Sequence, residues 1–478
     1  MHSPSKRFAL AFTSLAMILG TAACGGGDDA DGSEATDQAS AAVADSTRAT
    51  AQAKRRPPPP PAPPPAPTTD TTLALASATA AGQAVDGDAC AILADGGKVL
   101  FTSASSTLVA GDVRPFAADI FLKNFNGNGV VRAVTTFSRS LTCLTMTPDA
   151  NTVVFVADAT NGQVDVLGNS GTELALMVQN LVTGQQTRVT PLLSSLANVS
   201  SYQFAGVSDD GLRVAFIAQP TRVCSGYDCT ATGPARMLLR DLATGALINL
   251  ESKVRFTTSQ GVADGDAWLS PNGRTLAFSS RAAYPEAGDV SPQSDVFALD
   301  TASGNVRLVS TDAAGRQLTF PGFGSVGPSW GVQAFLANSG RIAFNAPTDT
   351  SAGPAGVYVK DLTSGALNRV LDSNLTYSVG NRQALSFSDD GRKVAYVEST
   401  GGGITANSIA RVLDLATGAR SNVATLTNGT VSNGRVTTNV LLARDGRSVA
   451  FGNNATNLLG GLSPLGGAEL RAYRKLLP

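Results

Sequence analysis

The sequence predicts an all-β chain: a seven-bladed β-propeller closed by an N-terminal strand and preceded by a disordered, proline-rich tether. Three observations predict it. A turn followed by an alternating apolar run recurs seven times. A second apolar run, ending in Asp-Leu-x-x-Gly or a close variant, recurs between those turns. The two ends of the repeated region are each incomplete, and each supplies what the other lacks. Composition agrees, since 49 Gly and 24 Pro in 478 residues favour turns over helix, and 43% hydrophobic residues supply a core.

The elements follow in chain order. Lys6 and Arg7 form a basic start, and Phe8 to Leu19 is an apolar run of 12 residues, too short to span a bilayer. Small residues lead to Cys24, so residues 1–23 read as a secretory signal. The junction resembles the bacterial lipoprotein signal, in which the Cys becomes diacylated, with Thr21 where that family usually carries Leu. The resemblance implies lipid attachment at Cys24 and, with Gly25 following, a periplasm-facing location on the outer membrane. Ordinary cleavage after Ala23, leaving a free Cys24 thiol, stays open.

Residues 24–71 form the expected tether. Nine prolines in residues 57–67 enforce a polyproline II rod of roughly 34 Å at about 3.1 Å per residue. It reads as a spacer or as a proline-rich ligand. Lys54, Arg55 and Arg56 beside it are suited to touch anionic lipid.

Residues 72–478 hold the repeats. The turns are ADGGKVLF (94–101), PDANTVVF (148–155), DDGLRVAF (209–216), PNGRTLAF (271–278), NSGRIAF (338–344), DDGRKVAY (389–396) and RDGRSVAF (444–451). Their last residues, Phe101, Phe155, Phe216, Phe278, Phe344, Tyr396 and Phe451, are spaced by 54, 61, 62, 66, 52 and 55 residues. A unit of that size with several short strands indicates a propeller blade. Asp-Gly and Asn-Gly supply positive φ at the hairpin between the first two strands. The second motif, as in MLLRDLATG (237–245) and VYVKDLTSG (357–365), marks the hairpin before the fourth strand. The last repeat stops after a third strand at GAELRAYRKLLP. TLALASATAAG (72–82) matches VRLVSTDAAG (306–315), a fourth strand, so Thr72 to Ser77 is expected to complete the last blade and remove an open edge.

These repeats resemble the TolB-like propeller repeats of bacterial envelope proteins, relatives of the WD-repeat class, through the Ser/Pro-Asp-Gly-Arg-x-x-Ala-Phe turn and the Asp-Leu-x-x-Gly hairpin. The resemblance implies a protein-binding ring in the envelope. The family's type member has six blades and an α/β domain; this chain has seven repeats and a tether.

The only histidine is His2, inside the expected signal. Without it a Ser-His-Asp triad and a His-ligated metal site are excluded. No phosphate-binding P-loop is present. A net charge of −1 gives no footprint for nucleic acid. Most Asp residues track turns, where turn bonding accounts for them. Asp112 with Asp119, and Asp289 with Asp295, lie in equivalent loops. Each pair either caps its loop or offers oxygen ligands to Ca²⁺.

Four cysteines remain beyond Cys24. In an oxidising compartment Cys224 with Cys229, inside one loop, and Cys90 with Cys143, on innermost strands of neighbouring blades, are disulfide candidates. Trp268 and Trp330 precede the turns of repeats four and five and read as core residues or as partner anchors on the ring face. The expectation is a monomeric, non-enzymatic, envelope-anchored scaffold that binds a protein or peptide. The alternative is a glycan-binding or glycan-cleaving propeller using carboxylates and Ca²⁺. A cluster of acids in the central channel favours the second, and a mixed or apolar face the first.

Overall fold

The computed structural model describes residues 72–110, 118–127, 129–134, 141–158, 174–225, 228–259, 262–263, 266–322, 331–336, 340–372, 385–399, 408–426, 429–459 and 470–478. Seven four-stranded antiparallel sheets form the blades of a propeller ring. From innermost to outermost strand, blade 1 is Asp88–Ile92, Lys98–Ser103, Asp119–Asn124 and Val130–Arg132. Blade 2 is Thr142–Met146, Thr152–Asp158, Leu174–Asn180 and Gln186–Arg188. Blade 3 is Val199–Val207, Arg213–Pro220, Arg236–Asp241 and Leu247–Asn249. Blade 4 is Ala267–Leu269, Thr275–Ser280, Asp295–Asp300 and Val306–Leu308. Blade 5 is Gly331–Leu336, Arg341–Ala346, Gly356–Asp361 and Leu367–Asp372. Blade 6 is Leu385–Phe387, Lys393–Ser399, Ser408–Asp414 and Arg420–Asn422.

Blade 7 takes its first three strands, Val436–Leu442, Ser448–Asn453 and Arg471–Leu476, from the C-terminal end of the chain. Its outermost strand is Leu73–Leu75, paired antiparallel with Leu73 opposite Lys475 and Leu75 opposite Tyr473. The predicted closure is therefore present. The backbone of Ala76 and Leu476 continues the pairing at either end of the strand, each bond 2.8 Å.

The turn motif has a physical explanation at its second position. Asp95, Asp149, Asp210, Asn272, Asp390 and Asp445 each accept the backbone N–H two residues on, at 2.8–3.0 Å. Where a Ser or Thr precedes, as at Ser208 and Ser388, its hydroxyl donates to that carboxylate and accepts the N–H that opens the next strand. The glycine that follows sits near φ +70° in blades 1, 3, 4, 6 and 7, and Ala150 holds the same conformation at 58° in blade 2. These carboxylates serve the turn.

The seven motif aromatics are all fully buried. In blades 1, 4, 5 and 7 each stacks on an aromatic of the third strand, with ring centroids 5.5–6.2 Å apart. Burying a side chain of this size is worth about 2–3 kcal/mol. The sheets pack through these rings into a continuous series of apolar clusters between neighbouring blades.

The sequence did not reveal how blades are tied at their outer ends. The next-to-last residue of the third strand reaches the preceding blade in several repeats. Gln179 Nε2 donates to Ala133 O at 2.8 Å, and Arg240 Nε to Val189 O at 2.9 Å. Lys360 Nζ donates to Thr311 O and Asp312 O, both at 2.9 Å, and Lys475 Nζ to Thr425 Oγ1 at 2.8 Å. Blades 4 and 6 carry Leu299 and Leu413 there instead. A disulfide joins Cys90 to Cys143, with Cα atoms 6.0 Å apart, and so ties the innermost strands of blades 1 and 2.

Candidate functional site

The seven innermost strands surround a central channel with a free volume of about 220 Å³. Each blade contributes to its wall, including Ile92, Met146, Phe204, Trp268, Phe335, Phe387 and Leu441 in order around the ring. The wall is mixed, since Thr145, Thr147 and Ser386 stand among these apolar side chains, and the alternating side chains of each strand face either the channel or the next blade. Trp268 lines the channel and also packs against the core between blades 4 and 5. Trp330 lies outside the described residues.

Charge enters at one mouth, where the first turn position of each repeat stands. That position is Ala94 in blade 1, Pro148 in blade 2 and Pro271 in blade 4. In blades 3, 6 and 7 it is Asp209, Asp389 and Arg444. The turn motif does not use the side chain at this position, since capping is done one residue later. Backbone bonds fix the three turns, from Asp209 N to Pro271 O (2.7 Å), Asp389 N to Arg444 O (2.8 Å) and Asp445 N to Ala94 O (3.1 Å).

From this frame the Arg444 guanidinium crosses the mouth to blade 3 and donates to both carboxylate oxygens of Asp209, at 2.6 and 2.5 Å. Bidentate pairing of this kind is the strong form of the Arg–carboxylate contact. Among the described residues Asp389 has only the guanidinium Nε, at 3.9 Å, as an ion-pair partner. Burial pushes the Asp389 carboxyl above its ordinary range, Arg444 pulls it back, and Asp209 and Asp390 push it further up. One cation thus faces two carboxylates. Asp209 and Pro271 also line a second recess just outside the mouth, with Arg274 on its rim.

A larger groove lies on the outer rim between blades 5 and 6, about 680 Å³ in volume. Its charges are used internally. Arg341 pairs with Asp361 at 3.2 Å, and Asp361 caps its own turn, which holds its carboxyl down at about 2. Arg369 pairs with Asp372 at 2.7 Å.

The calcium candidates are placed as follows. Gln317 Nε2 sits between Asp289 and Asp295 and donates to both, at 2.9 and 2.7 Å. Asp289 also accepts the backbone N–H groups of Tyr284 and Ser291, both at 3.1 Å, so it caps its loop. Ser310 Oγ donates to Asp295 at 2.6 Å, and burial pushes the Asp295 carboxyl up to about 8. Asp119 is buried in an ion pair with Arg132 at 3.4 Å. Asp112 lies outside the described residues. Among the described residues no three acid, His or Cys side chains gather as a metal site needs. Cys224 and Cys229 stand directly opposite each other in a two-stranded hairpin, Arg222–Ser225 with Asp228–Ala231. Cys24 lies outside the described residues.

No family model and no curated protein matches the chain. Solved structures do. Oligogalacturonate lyase from Vibrio parahaemolyticus is 12% identical, with a TM-score of 0.50 over 86% of this chain and 98% of that one. TolB from Acinetobacter baumannii is 16% identical, with a TM-score of 0.40 over 68% of this chain and 63% of that one. The propeller domain of the Trilobed protease from Pyrococcus furiosus is 10% identical, with a TM-score of 0.45 over 82% and 98%. At 12% identity the likeness to the lyase is one of fold alone.

Proposed function

We propose that this chain is a non-enzymatic propeller scaffold, held in the cell envelope through Cys24, that binds a protein or peptide partner at the charged mouth of its channel. The observation that carries this reading is the mouth itself. A channel mouth of about 220 Å³, lined by residues of all seven blades, carries three charged side chains. All three stand at a turn position that the fold leaves free to vary. The nearby hydroxyls of Ser208 and Ser388 are committed to their own turns, so neither is poised as a nucleophile. Among the described residues the acids of the channel lining are Asp209 and Asp389, and Asp209 is engaged by Arg444.

Site-directed photo-crosslinking in cells tests the reading. A photoreactive residue replacing Arg274, beside the mouth, is expected to capture a discrete protein. The same residue replacing Val290, exposed in a loop between second and third strands at the other end of its blade, is expected to capture none. Recovery of polysaccharide alone from position 274 would overturn the scaffold reading. Metabolic labelling with a fatty acid tests the anchor separately, and Cys24→Ser is expected to abolish it.

A further inference from the structure

The mouth also indicates what kind of partner fits it. We infer that it recognises a basic side chain, Lys or Arg, of a peptide segment whose neighbouring apolar residue enters the channel. The inference rests on the scaffold reading and names the chemistry of its partner.

The argument starts from the charge count. Among the described residues that line the channel, Arg444 is the one cation, and both of its terminal nitrogens are taken by Asp209. Asp389 receives only the distant Nε, and its carboxyl is pushed up because burial is not offset by a close cation. Half of the Asp389 side chain is open to solvent, so an incoming donor can reach its carboxylate directly. An incoming ammonium or guanidinium supplies both the charge and the hydrogen bonds. An incoming carboxylate would meet two existing ones and would have to displace Asp209 from a bidentate pair.

The second part is the channel itself. It has a volume of about 220 Å³, and Phe204, Phe335, Phe387 and Trp268 share its wall with Thr145, Thr147 and Ser386. It admits one or two apolar side chains and excludes a folded domain. The side of the occupant facing Asp389 is therefore basic, and an apolar neighbour rests on the aromatic part of the wall. Together these describe a short extended segment, with the charge complementarity that sets orientation and on-rate.

Selection from a displayed library of random heptapeptides on the full-length chain tests this. Enriched peptides are expected to pair Lys or Arg with an adjacent apolar residue. Changing that basic residue to Gln is expected to weaken binding about tenfold, the loss of one charge-assisted contact. Asp389→Asn, nearly isosteric and half-exposed, is expected to weaken the parent peptide equally and to add little to the peptide change. Asp389→Ser serves as a second variant, and an unchanged melting temperature certifies its fold. Enrichment of acidic or uncharged peptides at the mouth would overturn the basic-residue inference and leave the scaffold reading standing. Basic peptides that bind Asp389→Asn and Asp389→Ser at full strength would do the same. Failure to enrich any sequence would remove both.

Discussion

Gly96 sets how closely blade 1 approaches blade 7. A Cβ added there would lie 1.7 Å from Ser448 Oγ, and its φ is +70°. Ser448 is itself buried, so it has little room to turn away. Gly96→Ala is therefore expected to cost at least about 2 kcal/mol, from contact and left-handed backbone together. The urea midpoint measures this, and an unchanged midpoint would mean that Ser448 yields freely. Asp295 acts through protonation instead. Burial raises its folded pKa to about 8, against about 3.9 in the unfolded chain. Its stabilising contribution is thus complete below pH 4 and is lost as pH rises towards 8. Asp295→Asn stays neutral throughout. Measured against the parent from pH 4 to pH 8, its relative stability is expected to improve steadily with pH. A difference that is flat across this window would contradict the assignment.

At the level of strands and turns, stability rests on ties between blades as well as on pairing within them. Lys360 is the clearest case. Its ammonium donates to Thr311 O, Asp312 O and Gly365 O at 2.7–2.9 Å and is buried at the end of its strand. Lys360→Met keeps the stem and removes the donors, so it is expected to cost about 3 kcal/mol by leaving buried carbonyls without a partner. Thermal unfolding reads the loss, and Leu413→Met, at the equivalent place in blade 6, is the control expected to change little. These ties show where sequence reading stops. Phe101, Phe216 and Phe451 announce their strands because a period of two and a preceding turn repeat seven times. The closing strand and the Cys90–Cys143 bridge follow from the same register. The Lys360 tie does not, because Gln, Arg and Lys do the same work in different blades and Leu replaces them in two. The Arg444–Asp209 pair joins residues 235 positions apart, and no local pattern brings them together. A signal did exist: Asp-Asp in repeats three and six, and Arg in repeat seven, stand where repeats two and four have Pro. Recognising it requires knowing that the first turn position faces the channel. The Asp289–Gln317–Asp295 arrangement was hidden for a similar reason, since the amide comes from beyond the fourth strand.

For the ring as a whole, closure depends on three residues taken from the opposite end of the described propeller. Leu73–Leu75 adds the fourth strand to blade 7, and Leu73, Ala76 and Ser77 are buried against it. Ser77 Oγ also accepts Ala472 N–H at 3.1 Å, so the joint includes side chains. Without it the strand Arg471–Leu476 becomes an open edge, and the contact of blade 7 with blade 1 loses its outer support. Every blade depends on both neighbours, so a defect at this one joint is felt around the ring. Deleting residues 72–80 is therefore expected to lower the melting temperature sharply and to promote association through the exposed edge. Deleting residues 25–67 instead leaves the closing strand in place and is expected to leave the melting temperature unchanged. A synthetic peptide covering residues 72–80 gives the decisive comparison. Added to the shortened chain, it binds only the folded ring, so the melting temperature must climb with peptide concentration by mass action. A peptide with Leu73 and Leu75 changed to Asp keeps the backbone donors but loses the apolar contacts, and it is expected to rescue poorly. A shortened chain that melts like the parent, with or without peptide, would show that blade 7 holds its place with three strands.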